Sequence, residues 1–171
     1  LSNTFAVITG GRFPIDQGKI HSDGNRILGD GKTWSGLLGG TLGGILIGCL
    51  QLYYGNSIIE SLANTNDYNF WGQNPIIVIS LLAFGALLGD MTASFFKRRN
   101  MLNRGDKSPL LDMFDFIGMA LLLTLLFDYE WLKSWILDGY APLFTLLIAT
   151  PVLHRGVNII GYKLGIKNEP W

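Results

Sequence analysis

GDMTASFFKRRNMLNRGDKSPLLDMFDF, residues 89 to 116, decides how the chain is read. It begins inside one strongly apolar segment and ends inside the next, yet it carries Asp90, Asp112 and Asp115 together with the cationic run Lys97-Arg98-Arg99. Charge at membrane depth is costly and is kept mainly where it serves a function. If the segment ending near Phe96 is helical, Asp90, Ser94 and Lys97 stand at i, i+4 and i+7 and share one face. Asp112 and Asp115, at i and i+3, do the same on the following helix. A cation-binding acidic group then sits beside an anion-binding basic group, the pairing that chemistry on a polyphosphate requires.

The composition around this stretch fits a membrane. The 171 residues suit a single domain, 49% of them are hydrophobic, only 15% are charged, and 22 are glycine, a balance far from that of a soluble domain. The fold expected is an all-α integral membrane protein, a polytopic helical bundle with spans near 37–54, 75–96, 110–127 and 140–153. The first is free of charge from Leu37 to Tyr54 and carries Gly36, Gly40, Gly44 and Gly48, a spacing that lets helix backbones approach closely. The last is short and is expected to break at Pro151. Residues 1–35, rich in Gly, Asp and Asn, read as an ordered loop or re-entrant segment. In the tail, 154–171, His154, Asn158 and Tyr162 fall on one helical face. Trp131 and Trp135 suit the membrane interface. Cys49 is the only cysteine, which leaves no disulfide framework or cysteine zinc site; it reads as packing.

Topology follows from the basic residues. With four spans, every Lys and Arg except Lys133 falls on one side. The positive-inside rule makes that side cytoplasmic, for the N-terminal loop, the Lys97–Pro109 connection and the tail alike.

Each motif has a plainer reading beside the functional one. GDGKTW, residues 29–34, contains Gly-Lys-Thr, but the first glycine of a phosphate-binding loop would fall at Arg26 and no strand precedes it, so a P-loop is excluded. What remains is a Gly-rich loop bringing Lys32 toward the acidic residues. Asp112 and Asp115 could serve to cap a helix N-terminus, although capping does not account for two acids on an apolar helix. Arg99, Arg104 and Lys107 read as residues drawn to anionic headgroups. His154 reads as a structural hydrogen-bonder. No nucleophile-and-base set stands out. A substrate that arrives as its own ionised nucleophile, a phosphate attacking phosphorus, needs only alignment and charge neutralisation.

The motifs GGRFPID (residues 10–16), DGNRILGDGKTWSG (23–36), GDMTASFFKRR (89–99), RGDKSPLLDMFDF (104–116) and HRGVNIIGYKLGIKNEPW (154–171) resemble, in this order, those of the CDP-archaeol synthase family, relatives of the CDP-diacylglycerol synthases. The likeness covers nearly the whole chain; Ser108 stands where the bacterial signature of the related synthases has Asp, and Met113 where the archaeal family is expected to have Gln. It implies transfer of a cytidylyl group from CTP to an isoprenoid glycerol ether-lipid phosphate, with Mg2+ as cofactor, at a multi-pass site in the cell membrane facing the cytoplasm. It also implies Asp90, Asp112 and Asp115 as metal ligands and Lys97 as a further catalytic group. Ser94, Arg98, Lys32 and Thr33 become substrate-binding residues. A further membrane helix is implied ahead of GGRFPID, one that this chain starts too late to contain, making five spans in all. No nucleic-acid partner is expected, and homo-oligomerisation is left open. The competing classes are an ion or solute transporter with an intramembrane carboxylate site, and another lipid phosphotransferase.

Overall fold

A backbone in lipid has no water to bond and must satisfy its N–H and C=O groups within itself, so apolar segments of this length settle as helices. The computed structural model describes residues 1–63, 70–102, 106 and 108–165, and among them all regular structure is helical. The elements are α1 (Ser2–Thr9), α2 (Trp34–Ala63), α3 (Pro75–Arg99), α4 (Pro109–Phe127), α5 (Tyr129–Leu132), which runs into a π-helical turn at Lys133–Leu137, and α6 (Tyr140–Lys163). Among the described residues three helical stretches are long and apolar enough to cross a membrane: Trp34–Gly55, Pro75–Arg99 and Tyr140–Lys163.

Glycine decides how these helices meet. A β-carbon on Gly43 would come within 2.3 Å of the Phe5 ring, and one on Gly39 within 2.2 Å of Thr9, so α1 lies directly on one face of α2. On another face Gly44 and Gly48 admit Ala83 and Ile79 of α3 at 2.8 and 2.4 Å. The four-residue spacing therefore serves close packing, as its residues suggest. A second pair does the same between α3 and α4: a β-carbon on Gly85 would meet the Ala120 backbone at 2.6 Å, and one on Gly89 the Asp115 carbonyl oxygen at 2.1 Å.

The apolar core gathers toward the start of α3. Val78, Ile79, Trp71, Trp131, Leu132 and Ile136 form one buried cluster. Trp131 corrects the expectation of an interfacial aromatic: its ring is buried and its indole N–H donates to the Phe70 carbonyl at 2.8 Å. The energy of burying that large ring outweighs interfacial placement once its one donor is satisfied.

Other boundaries also differ from expectation. Ser2–Thr9 is helical, an element not marked in the reading of residues 1–35 as an ordered loop or re-entrant segment; packing on the glycines of α2 holds it. It stands directly before GGRFPID. α2 continues to Ala63, past the expected end at Tyr54. α6 does not break at Pro151 but continues to Lys163, taking in the first part of the expected tail. Proline there removes one N–H from the ladder, whereas ending the helix would strand a whole turn of backbone groups in an apolar setting. Arg104, Lys107 and Lys167 lie outside the described residues.

Candidate active site

The N-terminal loop between α1 and α2 is organised by one carboxylate. Asp16, its side chain fully buried, accepts from Arg26 Nη2 at 2.6 Å and Nε at 3.1 Å. It also accepts from the backbone amides of Gly18, Leu28 and Gly29 at 3.2, 3.1 and 2.9 Å. Gly29 turns to φ +89 to present that amide, a conformation that favours glycine. The Arg26 guanidinium, aided by the three amides, holds the Asp16 carboxyl well below the usual carboxylate range. Arg26 also bonds Asp30 at 2.8 Å. Arg99, at the end of α3, ties this loop down: its Nη2 donates to the Arg26 carbonyl at 2.7 Å, its Nε lies 2.9 Å from Asp23, and its guanidinium lies 5.0 Å from the centre of the Phe95 ring. The reading of Arg99 as a headgroup-facing residue is thereby corrected, because carbonyls and a carboxylate inside the protein supply its counter-charge.

The loop returns beside its own start, with the Ile15 amide bonded to the Lys32 carbonyl at 2.9 Å. Lys32 then reaches Asp90 on α3, Nζ to Oδ2 at 2.5 Å. Its neighbour Thr33 is buried and accepts from the amides of Gly36 at 3.1 Å and Gly11 at 3.3 Å, so its hydroxyl caps α2 and fastens GGRFPID to it.

A second ion pair joins Lys97 at the end of α3 to Asp112 in the first turn of α4. The other oxygen of Asp112 accepts from the Ser108 amide at 3.0 Å, so capping and ion pairing are both roles of this residue. Asp115 stands one turn further along, on the contact that Gly89 makes possible. It lies within electrostatic reach of Asp90, Asp112 and Lys32.

All five of these side chains line one cavity of about 710 Å3, walled also by α1 and by His154 and Asn158 of α6. His154 stacks on Phe116 at 5.7 Å. Asn158 is buried and was absent from the expected site; its one-face spacing with His154 was the available signal. Thr33 contributes to the wall, whereas Ser94 and Arg98 lie outside it. Arg98 Nε is buried and has no hydrogen-bond partner among the described residues.

Three carboxylates opening on one cavity are hard oxygen donors of the type Mg2+ takes. Among the described residues no three His, Cys, Asp or Glu side chains converge to hold an ion, and Lys32 and Lys97 engage two of the three aspartates. The donor set fits Mg2+ in chemistry, with two ammonium groups standing on two of the three aspartates.

The whole chain, residues 1–171, matches the family model described as CarS-like: CDP-archaeol synthase. A CDP-archaeol synthase of Methanospirillum hungatei JF-1 is 48% identical over 171 residues, all of this chain and 97% of that protein. One from Methanosarcina barkeri (strain Fusaro) is 44% identical over 172 residues, with the same coverage. A solved structure of an intramembrane enzyme of archaeal membrane lipid biosynthesis aligns with a TM-score of 0.68 at 34% identity, covering 92% of this chain and 86% of the other.

Proposed function

The chain belongs to the CDP-archaeol synthase family, and from that premise we propose that its cavity binds CTP and an isoprenoid glycerol ether-lipid phosphate and joins them, releasing pyrophosphate. The observation that carries this reading is the grouping of Lys32, Asp90, Lys97, Asp112 and Asp115 around one cavity. Such a wall offers both signs of charge to a triphosphate, and a reaction whose nucleophile is the lipid phosphate itself needs no side-chain nucleophile.

An oxygen of the lipid phosphate attacks the α-phosphorus of CTP in line. The new P–O bond forms as the bond between the α-phosphorus and its bridging oxygen to the β-phosphate breaks, and that oxygen leaves with pyrophosphate. The negative charge that grows on the leaving group is met by Lys32 and Lys97, whose ammonium groups stand at Asp90 and Asp112. Asp90, Asp112 and Asp115 would hold Mg2+, which when bound neutralises phosphate charge and keeps the two anionic reactants together. The loop held by Asp16 and Arg99 fixes Lys32 against α3 before substrate arrives, so little reorganisation remains for the reaction. Arg98 and Ser94 lie outside the cavity wall. Because α1 and α6 do not pack closely on one another, the isoprenoid chains can remain among the apolar side chains beside the cavity.

We count α4 as a fourth crossing. The described basic residues of the N-terminal loop, of the end of α3 and of the end of α6 then share one side, made cytoplasmic by the positive-inside rule, and the site faces that side.

The test is transfer of label from α-32P-CTP to extractable lipid by purified protein with Mg2+ and an ether-lipid phosphate, with Asp112→Asn alongside. Labelled lipid from the wild type, reduced at least about a hundredfold in a folded variant, is the expected result. A folded protein that labels neither an ether nor an ester acceptor refutes the reading.

A further inference from the structure

The two ion pairs of the cavity are built from four different places in the chain. Lys32 comes from the loop and Asp90 from α3, while Lys97 comes from the end of α3 and Asp112 from the start of α4. Both lysines are mostly withdrawn from solvent, with side chains 21% and 16% exposed. Lys32 is delivered by a loop whose own fastening, through Asp16 and Arg99, is extensive. The long lysine stems are thus held on the carboxylates by architecture as well as by charge.

This arrangement has a consequence for what can enter. A divalent cation arriving alone must displace an ammonium from its aspartate and leave that ammonium beside a doubly charged ion, with no anion of its own. A triphosphate arriving alone must draw the ammonium away and leave a bare carboxylate facing phosphate. Either exchange strands a charge in a partly buried site. A cation and triphosphate arriving as one complex strand nothing: carboxylates pass to the cation and ammoniums to the phosphates.

We propose, on the premise that this cavity binds a nucleoside triphosphate, that Lys32 and Lys97 are resident counter-cations that make the site accept the divalent cation and the triphosphate only together. The lysines then have two successive partners, aspartate in the ligand-free protein and phosphate in the complex. They make the two ligands enter together as well as stabilising charge.

The proposal is tested without turnover, in the absence of lipid acceptor, by electron paramagnetic resonance of Mn2+ and calorimetry of CTP on the purified full chain. In the wild type each ligand alone binds weakly, and each tightens the other by the same factor, at least about tenfold. Lys32→Met and Lys97→Met bind Mn2+ alone about tenfold more tightly than the wild type, and the mutual tightening shrinks. Lys32→Arg, which keeps the charge, keeps the weak Mn2+ binding. Since the lysines lie on separate elements, either Met variant suffices, with thermal unfolding confirming its fold. A folded Met variant that binds Mn2+ no more tightly than wild type overturns the proposal, as does wild type that binds Mn2+ equally well with and without CTP. If wild type binds no Mn2+–CTP complex at all, the functional reading itself falls and takes this inference with it.

Discussion

Replacing Asp16 by Asn is expected to open the N-terminal loop while leaving the helical bundle folded. The aspartate accepts five hydrogen bonds from Arg26 and three amides, and asparagine must turn an NH2 group toward some of those donors. Removing one partner of a buried ion pair costs about 3–5 kcal/mol. Arg26 still reaches solvent and keeps Asp30, so about 2–3 kcal/mol is a fair discounted figure, a shift of roughly 30- to 150-fold in loop closure. The buried apolar cluster is built from other segments, so the cost falls on residues 10–33. Hydrogen exchange read by mass spectrometry should show faster exchange in peptides covering this loop and unchanged exchange in the middle of α3. The KM for CTP should rise because Lys32 is no longer held, and in a Lys32→Met background the same substitution should add little. The pH dependence has a definite sign. The folded Asp16 carboxyl lies below its usual value, so its contribution is fully present above the unfolded value of about 3.9 and is lost only as pH falls through the lower folded value. Loop exchange should therefore show no Asp16 transition between neutrality and about pH 4. Exchange of the loop in Asp16→Asn within twofold of wild type would refute the assignment of Asp16 as its organiser.

Two further substitutions probe how the site is framed. Gly89→Ala places a β-carbon against the Asp115 backbone at 2.1 Å; neither backbone can yield cheaply, so about 1–3 kcal/mol of stability should be lost, read as a lowered midpoint of thermal unfolding in detergent, with a fall in lipid labelling as Asp90 and Asp115 are pushed apart. Unchanged melting and activity would mean that α3 and α4 are free to separate there. Arg99→Ala removes the bond to the Arg26 carbonyl and the ion pair to Asp23. It should cost about 1–2 kcal/mol, seen as faster exchange across residues 23–30 and a raised KM for CTP.

The crossing helices, the acidic and basic residues at the ends of α3 and α4, and their meeting in one site were legible in the sequence because each carries a period. Apolar runs of helical length announce spans, and Asp90 and Lys97 announce a shared face. The glycines of α2 were read correctly as packing, while Gly85 and Gly89, at the same spacing, passed unremarked beside the more conspicuous Asp90. The fastening of the N-terminal loop was not legible. Asp16 has no periodic partner, and the sixteen-residue path from it to Lys32 closes through a side chain bonded to amides, an arrangement that turn composition suggests only in outline. Arg99 was misread for a related reason: in sequence it is the third member of a cationic run, and only the folded loop supplies the carbonyls that claim it. Pro151 shows the reverse error, a local rule applied where the apolar surroundings overrule it.

The distribution of polarity along the bundle argues for chemistry at one end over passage from one end to the other. Asp90 lies about 17 Å along α3 from Val78 and Ile79, and those residues sit in a cluster with Trp71, Trp131, Leu132 and Ile136. Between them α2 and α3 are drawn together at Gly44 and Gly48 until Ala83 and Ile79 fill the space where β-carbons would stand. An ion leaving Asp90 toward the core would meet close-packed methyl groups and indole rings, with no polar ladder among the described residues to replace its hydration. Neighbouring glycines of the same helix, Gly39 and Gly43, let α1 lie on α2, so that α1 walls the cavity from which Lys32 meets Asp90. Tight packing in the apolar half and a charged cavity at its end are two results of one glycine pattern, and together they suit an enzyme that works on a phosphate at the membrane surface while the attached lipid chains stay in the bilayer.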